Sequence, residues 1–339
     1  MIRIGVIGAG HWGPNYVRNF REIDGASAVA AADPRPEALA GLATRFPDLQ
    51  LFADYRELLA DDEIDAVVVA TPAASHHEIG LACLQAGKHM LIEKPLANSA
   101  AAALELAQHP LADGQIFMVG HIFRFHPGIN KIRELMYEGT LGTTRYIHCV
   151  RTNLGPVRKD VSAIWDLAPH DVSIALHLFN SMPVRVSATM GYYLLDSPGD
   201  VAFITLTFPG GELVNIHVSW VDPQKRREVN VIGTNALVRF DDMNVGETVR
   251  IVERSLREVP SYATFGEFQL VTHAGESIIP YIAPKEPLKE QCLEFLKSIR
   301  SKQQPLSDVR DGYRICAILE AAEASAKQDG APIDIEAEV

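Results

Sequence analysis

The sequence predicts a two-domain α/β protein, with an N-terminal doubly wound parallel sheet and a C-terminal α+β domain built on a large, mostly antiparallel open sheet. Three observations carry this. Apolar runs of strand length alternate with segments of helical period from Ile2 to His121, the pattern of a parallel sheet covered by helices. A glycine-rich turn separates the first strand from the first helix. Beyond Arg124-Phe125-His126-Pro127 the alternation stops, and short β-rich runs joined by turn residues follow. At 339 residues the chain exceeds the size at which one core keeps growing, so domains at 1–122 and 123–339 are expected.

Composition narrows the class. Hydrophobic residues make up 47% and charged residues 22%, an ordinary globular balance. The net charge of −12, from 31 basic and 43 acidic residues, argues against a nucleic acid or an anionic membrane as partner. Cys83, Cys149, Cys292 and Cys316 show no CxxC spacing and lie in apolar segments, so they read as reduced core thiols of a cytoplasmic protein. The apolar run from Ile4 to Ala9 is too short for a signal or a membrane span.

Taken in order, Ile2 to Ile7 reads as a buried strand. Gly8-Ala9-Gly10-His11-Trp12-Gly13 follows, and then a helix opening at Pro14, where a missing N–H costs nothing. GxGxxG between strand and helix is the context of a dinucleotide site, with the pyrophosphate at the helix N-terminus. The second strand, Ala28 to Ala32, ends at Asp33, whose carboxylate suits an adenosine ribose diol and repels a 2′-phosphate, favouring NAD over NADP. Arg35 leaves three roles open: a salt bridge, stacking on adenine, or acceptance of NADP. A short helix at Tyr55 to Ala60 and a strand at Ile64 to Ala70 lead to Thr71-Pro72. Ser75 with Glu78 reads as a capping box for a helix through Ala86, ended by Gly87. His76 and His77 are adjacent and face different ways, and nothing supplies spaced ligands, so no metal site is expected. A strand at His89 to Lys94, a helix at Ser99 to His109 and a sixth strand at Ile116 to His121 complete the domain.

Leu91-Ile92-Glu93-Lys94-Pro95 puts a lysine at the carboxyl end of a strand, where the proline forbids continuation. Ligands of open α/β sheets bind outside those ends. An ammonium fixed there donates hydrogen bonds or, with a lowered pKa, carries a proton.

In the second half, strands are expected at Tyr146 to Asn153, Val184 to Leu194, Val201 to Phe208, Leu213 to Trp220, Val229 to Ile232, Ala236 to Phe240 and Val249 to Val252. Ala202, Ile204, Leu206 and Phe208 alternate with Phe203, Thr205 and Thr207. The second sheet face is therefore mixed, and a homodimer or homotetramer through this sheet is expected. Helices at Glu286 to Lys302 and Asp308 to Lys327 close the chain and pack on the body through Cys292, Phe295, Leu296 and Ile299. A further helix is expected near Asp171 to Asn180, with Pro169 at its first turn. Asp166 and His170, four apart, share a face there, and a carboxylate would orient the imidazole and raise its pKa. Arg151, Arg158, Lys159, Lys225, Arg226 and Arg227 are the local basic residues open to a carboxylate or diphosphate.

The succession Gly8 to Gly13, Ala70-Thr71-Pro72, Glu93-Lys94-Pro95 and Asp166 with His170 resembles the glucose-fructose oxidoreductase and inositol dehydrogenase (Gfo/Idh/MocA) family over nearly the whole chain. The resemblance implies an NAD-dependent enzyme in which Lys94 and His170 flank the carbon that loses hydride, with Asp166 in support. It implies a cofactor lined by Gly8, Gly10, His11, Trp12, Gly13, Asp33, Arg35, Thr71, Pro72, His76, Glu93, Lys94 and Arg124, and often a cis proline after the lysine. Within the family, His11 to Asn15, Arg151 to Gly155 and Trp165 to Asp171 look like the bacterial 3-dehydrogenases of UDP-N-acetylglucosamine and its uronate, which serve amino-sugar (lipid A or O-antigen) biosynthesis. That implies oxidation of the C3 hydroxyl of a UDP-sugar, with Lys94, Asn153, Arg158, Trp165 and His170 towards the substrate. The alternatives are the uronate, a free polyol or another nucleotide sugar and, outside enzymes, an NAD-binding sensor or corepressor.

Overall fold

The computed structural model describes residues 1–258 and 270–336. The chain divides into two compact units, Met1–Phe125 with Lys285–Glu320 and His126–Pro284 with Ala321–Glu336.

The first unit holds strands β1 (Ile2–Ile7), β2 (Ala26–Ala32), β3 (Gln50–Phe52), β4 (Ala66–Val69), β5 (His89–Glu93) and β6 (Phe117–Gly120). They form a six-stranded sheet in the order β3-β2-β1-β4-β5-β6, every neighbouring pair parallel. The order reverses between β1 and β4, as the doubly wound fold requires. β4 and β6 are buried at every position, which is why they read as unbroken apolar runs. Helix α1 (Gly13–Glu22) buries Tyr16, Val17 and Phe20. The helix Pro287–Ser301 belongs to this unit, not to the second half where its position in the chain suggested. Its Cys292, Phe295 and Leu296 share one core with Ile4, Phe20 and Ala28, and Phe295 meets Phe20 edge-on at 6.5 Å. A periodic apolar stripe specifies that a helix packs, and leaves its partner unspecified. The open edge of β6 is closed by Ser307: Val119 N–H donates to its carbonyl at 2.9 Å, and its Oγ donates to the Val119 carbonyl at 2.7 Å.

One local expectation fails here. Ser75 makes no cap bond; its Oγ lies 2.9 Å from Thr71 Oγ1 and 2.8 Å from the Pro72 carbonyl. A 3₁₀ turn, Ala73–Ser75, runs into the helix His76–Gln85 and puts Ser75 in helical geometry, so its hydroxyl turns back. Glu78 instead accepts from Tyr55 and Arg56.

The second unit is organised on β7 (Thr144–Leu154), β8 (Arg185–Gly191), β9 (Val201–Thr207), β10 (Leu213–Ser219), β11 (Val221–Gly233), β12 (Leu237–Asp241), β13 (Val249–Glu258), β14 (Leu270–Ile278) and β15 (Ile333–Asp334). The nine-stranded order is β14-β13-β12-β11-β7-β10-β9-β8-β15. Among the described residues, only the β7–β10 pair of this sheet is parallel. Ala202, Ile204 and Leu206 point inward, as their alternation required. β14, with glycine, glutamate and serine in its run, and the two-residue β15 escape sequence patterning, and the charged first half of β11 hides its start.

The helix expected near Asp171 starts earlier, at Ala163, and runs to Phe179, so Pro169 lies inside it and not at its first turn. A proline there removes one backbone hydrogen bond. Ala168, Val172, Ile174 and Ala175 are all fully buried, and that burial holds the helix through the break. Asn180, in the left-handed region at φ 50°, stops it. Arg151 grips this helix from β7: Nε and Nη2 donate to the two oxygens of Asp171 at 2.8 and 2.9 Å, with the two side chains 5% and 0% exposed. Arg151 is thus removed from the basic residues open to a substrate, because a buried carboxylate holds both faces of its fork. Arg151→Met is expected to lower stability by about 3–5 kcal/mol, since it leaves Asp171 buried without a counter-charge. Arg151→Met with Asp171→Leu should recover most of that loss. Denaturation midpoints of the three proteins check both statements.

Candidate active site

Because every pair in the first sheet is parallel, β1, β2, β4, β5 and β6 deliver their carboxyl ends to one edge. The glycine turn leaves β1 there. Gly8 sits at φ 101°, and a Cβ on it would stand 2.6 Å from the Ala70 carbonyl oxygen, so only glycine fits. A Cβ on Gly13 would stand 2.0 Å from the Gly8 carbonyl oxygen. Around Gly10 the nearest such neighbour is Arg35 Nη2, at 3.8 Å. The three glycines therefore divide the work of a dinucleotide turn: a tight bend, an open approach for a pyrophosphate, and close contact with the helix. No side chain caps α1, and such a helix end favours a phosphate. His11 packs edge-on against the half-exposed Trp12 at 5.4 Å.

Asp33, at the end of β2, is buried and fully occupied. Oδ1 accepts from Arg35 N and Nε, both at 2.9 Å, and Oδ2 accepts from Ala9 N and Arg35 Nη2, both at 2.8 Å. A carboxylate has about four acceptor positions. A ribose diol reaching Asp33 must therefore displace Arg35, which of its three expected roles takes the salt bridge. Burial alone would raise the Asp33 pKa, but the hydrogen bonds from Arg35 and Ala9 and the Arg35 charge outweigh it and hold the carboxyl below its usual value.

Lys94 follows β5, and the Lys94–Pro95 peptide is cis. Its backbone is pinned from both sides. Glu93 is half-buried; Oε2 accepts from Lys94 N at 3.1 Å and Oε1 from Tyr16 OH at 2.6 Å, while Gln291 Nε2 donates to that same phenol at 2.8 Å. Burial raises Glu93 above the ordinary carboxyl value against the pull of Tyr16 and Lys94, and burial beside Glu93 pushes Tyr16 well up, so the phenol remains a donor. Behind Lys94, the Pro95 carbonyl lies 2.8 Å from His76 Nδ1, and His76 Nε2 lies 2.9 Å from the Thr71 carbonyl. His76 thus ties the exits of β4 and β5 together. Arg124 is buried, and its Nη1 donates to Asp311 and to the Leu306 carbonyl. Tyr16 and Gln291 were legible in sequence only as part of apolar helix faces.

In the second unit Asp166 and His170 lie one turn apart on the helix Ala163–Phe179. Asp166 Oδ2 accepts from Trp220 Nε1 at 3.2 Å, and Oδ1 from Arg158 Nη1 at 3.3 Å. Trp220 is fully buried, a residue that its strand pattern marks only as core. Trp165 is buried, and Asn153 Nδ2 donates to the Gly155 carbonyl. Arg226 and Arg227, like Arg151, have acidic partners, Glu228 at 2.9 Å and Asp242 at 3.1 Å. Among the described residues there is no cluster of three or more His, Cys, Asp or Glu suited to a metal, and no helix long and apolar enough to cross a membrane.

Both halves match known family models. The oxidoreductase family with an NAD-binding Rossmann fold covers residues 2–121, and the GFO/IDH/MocA C-terminal domain covers 129–239. The chain belongs to the GFO/IDH/MocA family. It is an NAD-dependent oxidoreductase, in keeping with the glycine turn and Asp33. Inositol 2-dehydrogenase 2 of Saccharopolyspora erythraea is 32% identical over 64% of this chain and 66% of that enzyme. UDP-N-acetylglucosamine 3-dehydrogenase of Acidithiobacillus ferrooxidans is 27% identical over 93% of this chain and 94% of that enzyme. A solved structure of the Acidithiobacillus ferrooxidans 3-dehydrogenase superposes with a TM-score of 0.79 at 26% identity, over 96% of this chain and 98% of that one.

The Asp33–Arg35 pair carries a pH signature. With its folded pKa depressed, Asp33 lends stability that is present above its unfolded pKa, about 3.9, and lost as pH falls through the folded value. In Arg35→Ala, burial acts with less opposition, so the acid loss of stability should begin at higher pH. Denaturation midpoints recorded between about pH 2 and 6 read the shift.

Proposed function

We propose that this oxidoreductase is a sugar dehydrogenase that oxidises the C3 hydroxyl of UDP-N-acetylglucosamine. The observation that carries the chemistry is Lys94, whose backbone is fixed at a strand exit by Glu93 and His76 in the same unit as the glycine turn. The similarity to the UDP-N-acetylglucosamine enzyme supports the nucleotide sugar because it runs through the second unit, whereas that to the inositol enzyme spans less of the chain. The arginine pairings favour the neutral sugar over its uronate, since Arg151, Arg226 and Arg227 already have carboxylate partners.

Bound NAD supplies the hydride acceptor. The chain does the rest. Lys94 Nζ donates to the oxygen of the reacting hydroxyl and stabilises charge as the O–H bond breaks. His170 takes the proton, leaving a ketone where the alcohol stood. Asp166 stabilises the resulting imidazolium and is itself aligned by Trp220 and Arg158.

Incubation with NAD and UDP-N-acetylglucosamine, its uronate or myo-inositol, followed by mass spectrometry, should give a loss of two mass units on the first. Loss on the uronate alone overturns the neutral sugar, and loss on inositol alone overturns the nucleotide. In Lys94→Met, turnover is expected to fall by roughly 10²–10⁴-fold while NAD binding, followed by fluorescence, is kept. Retained turnover would remove the role given to Lys94.

A further inference from the structure

His121 takes no part in the chemistry derived so far. β5 and β6 run parallel and in register, with Glu93 opposite Gly120. The next residues along, Lys94 and His121, therefore leave the sheet side by side, on strands about 4.8 Å apart. The backbone of His121 is held: its N–H donates to the Val119 carbonyl at 2.8 Å, and its carbonyl accepts from Arg124 N at 3.0 Å. The imidazole is 1% exposed, yet neither Nδ1 nor Nε2 has a hydrogen-bond partner among the described residues.

His76 shows what a structural histidine at the same sheet edge looks like, since both of its nitrogens meet backbone carbonyls. An unpartnered buried polar group costs about 1–3 kcal/mol, and His121 carries two. Phenylalanine would fill such a space without that cost, so the retained nitrogens point to a bound partner.

The ring also restricts what that partner can be. Burial, helped by the charges of Arg124 and Lys94, pushes His121 well below the ordinary histidine value, so the imidazole is neutral. A neutral imidazole offers one donor and one acceptor. Two cationic neighbours disfavour a metal or an ammonium there. A carboxylate, with no proton to give, uses only half of the ring. A hydroxyl can meet either nitrogen, accepting from the protonated one or donating to the other, so it suits the neutral ring whichever side it approaches. We propose that His121 is a positioning residue that hydrogen-bonds a substrate hydroxyl adjacent to the one engaged by Lys94. This rests on the role given to Lys94, and it makes the enzyme selective for substrates with a second hydroxyl or comparable donor–acceptor group beside the reacting one.

The test uses His121→Phe and His121→Gln in the full chain, the glutamine keeping a donor and an acceptor. With UDP-N-acetylglucosamine, or with myo-inositol if that is the compound oxidised, His121→Phe should lower kcat/KM by roughly tenfold or more, and His121→Gln should restore part of it. Affinity for NADH, read by fluorescence titration, should be unchanged in both. A parallel fall in NADH affinity would assign the ring to the nicotinamide and overturn the proposal. Unchanged kinetics in both variants would leave the ring to a buried water and overturn it equally. If His121→Phe does not fold, unaltered kinetics in His121→Gln do not decide, and the ring itself is observed: the ¹⁵N resonances of His121 in the wild-type NADH complex should move on addition of the sugar. Resonances that stay still would end the proposal. Because this last measurement needs no turnover, it separates failure here from failure of the role of Lys94.

Discussion

Parallel strands in one sheet must all leave at the same edge, and the first unit is organised by that constraint. Gly8, Asp33, Thr71, Lys94 and His121 are separated by whole strand–helix repeats, yet each stands at or just past the carboxyl end of its strand. The order of the sheet sorts them further. Asp33, after β2, lies on one side of the β1–β4 reversal and Lys94, after β5, on the other. The acidic residue that suits an adenosine ribose and the lysine given a role in the proposed reaction are thus divided by topology before any side chain is chosen.

Topology places a lysine without holding it still. A lysine side chain loses up to about 2 kcal/mol of rotamer entropy when fixed, and freedom in its backbone would add to that. Here the backbone freedom is removed by polar groups that are themselves buried or half-buried. Tyr16, Glu93 and Gln291 form a chain that ends on the Lys94 amide, and His76 links Pro95 to Thr71. Polar networks of this kind in a low-dielectric interior stiffen their surroundings. The second unit repeats the device at Asp166, held by Trp220 and Arg158 on a helix that Arg151 clamps through Asp171. The side chains to which the proposed reaction gives chemical roles are thereby held in place by their polar neighbours.

This division explains what could be read from the sequence. The strand–helix alternation, the glycine turn and the lysine before a proline are local patterns, and the six parallel strands and the site edge follow from them. The tail helix Pro287–Ser301 shows the opposite case, because its stripe of Cys292, Phe295 and Leu296 does not specify the Phe20 side of the first core as its partner. Tyr16, Gln291 and Trp220 were invisible as site residues for a related reason: each occupies a position that periodicity marks as interior, and only the fold reveals that a polar tip meets a carboxylate or a phenol. Pro169 misled because a proline inside a helix is costly on local grounds, and tertiary burial overrode the local preference.

The charge balance acquires a meaning that composition alone withheld. A net charge of −12 looked like an argument about partners, and the arginines of the second unit looked like the basic patch an anionic substrate would need. Each of Arg151, Arg158, Arg226 and Arg227 instead has its own carboxylate, Asp171, Asp160, Glu228 and Asp242. A guanidinium already satisfied by a carboxylate gains little from a second anion, because the first must be given up. Part of the acidic complement therefore neutralises cations locally and withdraws them from competition for ligand charge. The first unit shows the complementary arrangement in His121, a neutral ring beside Lys94 whose donor and acceptor are unused among the described residues. Neutral, directional groups of that kind distinguish one hydroxyl pattern from another, whereas free cations would bind any anion offered to them.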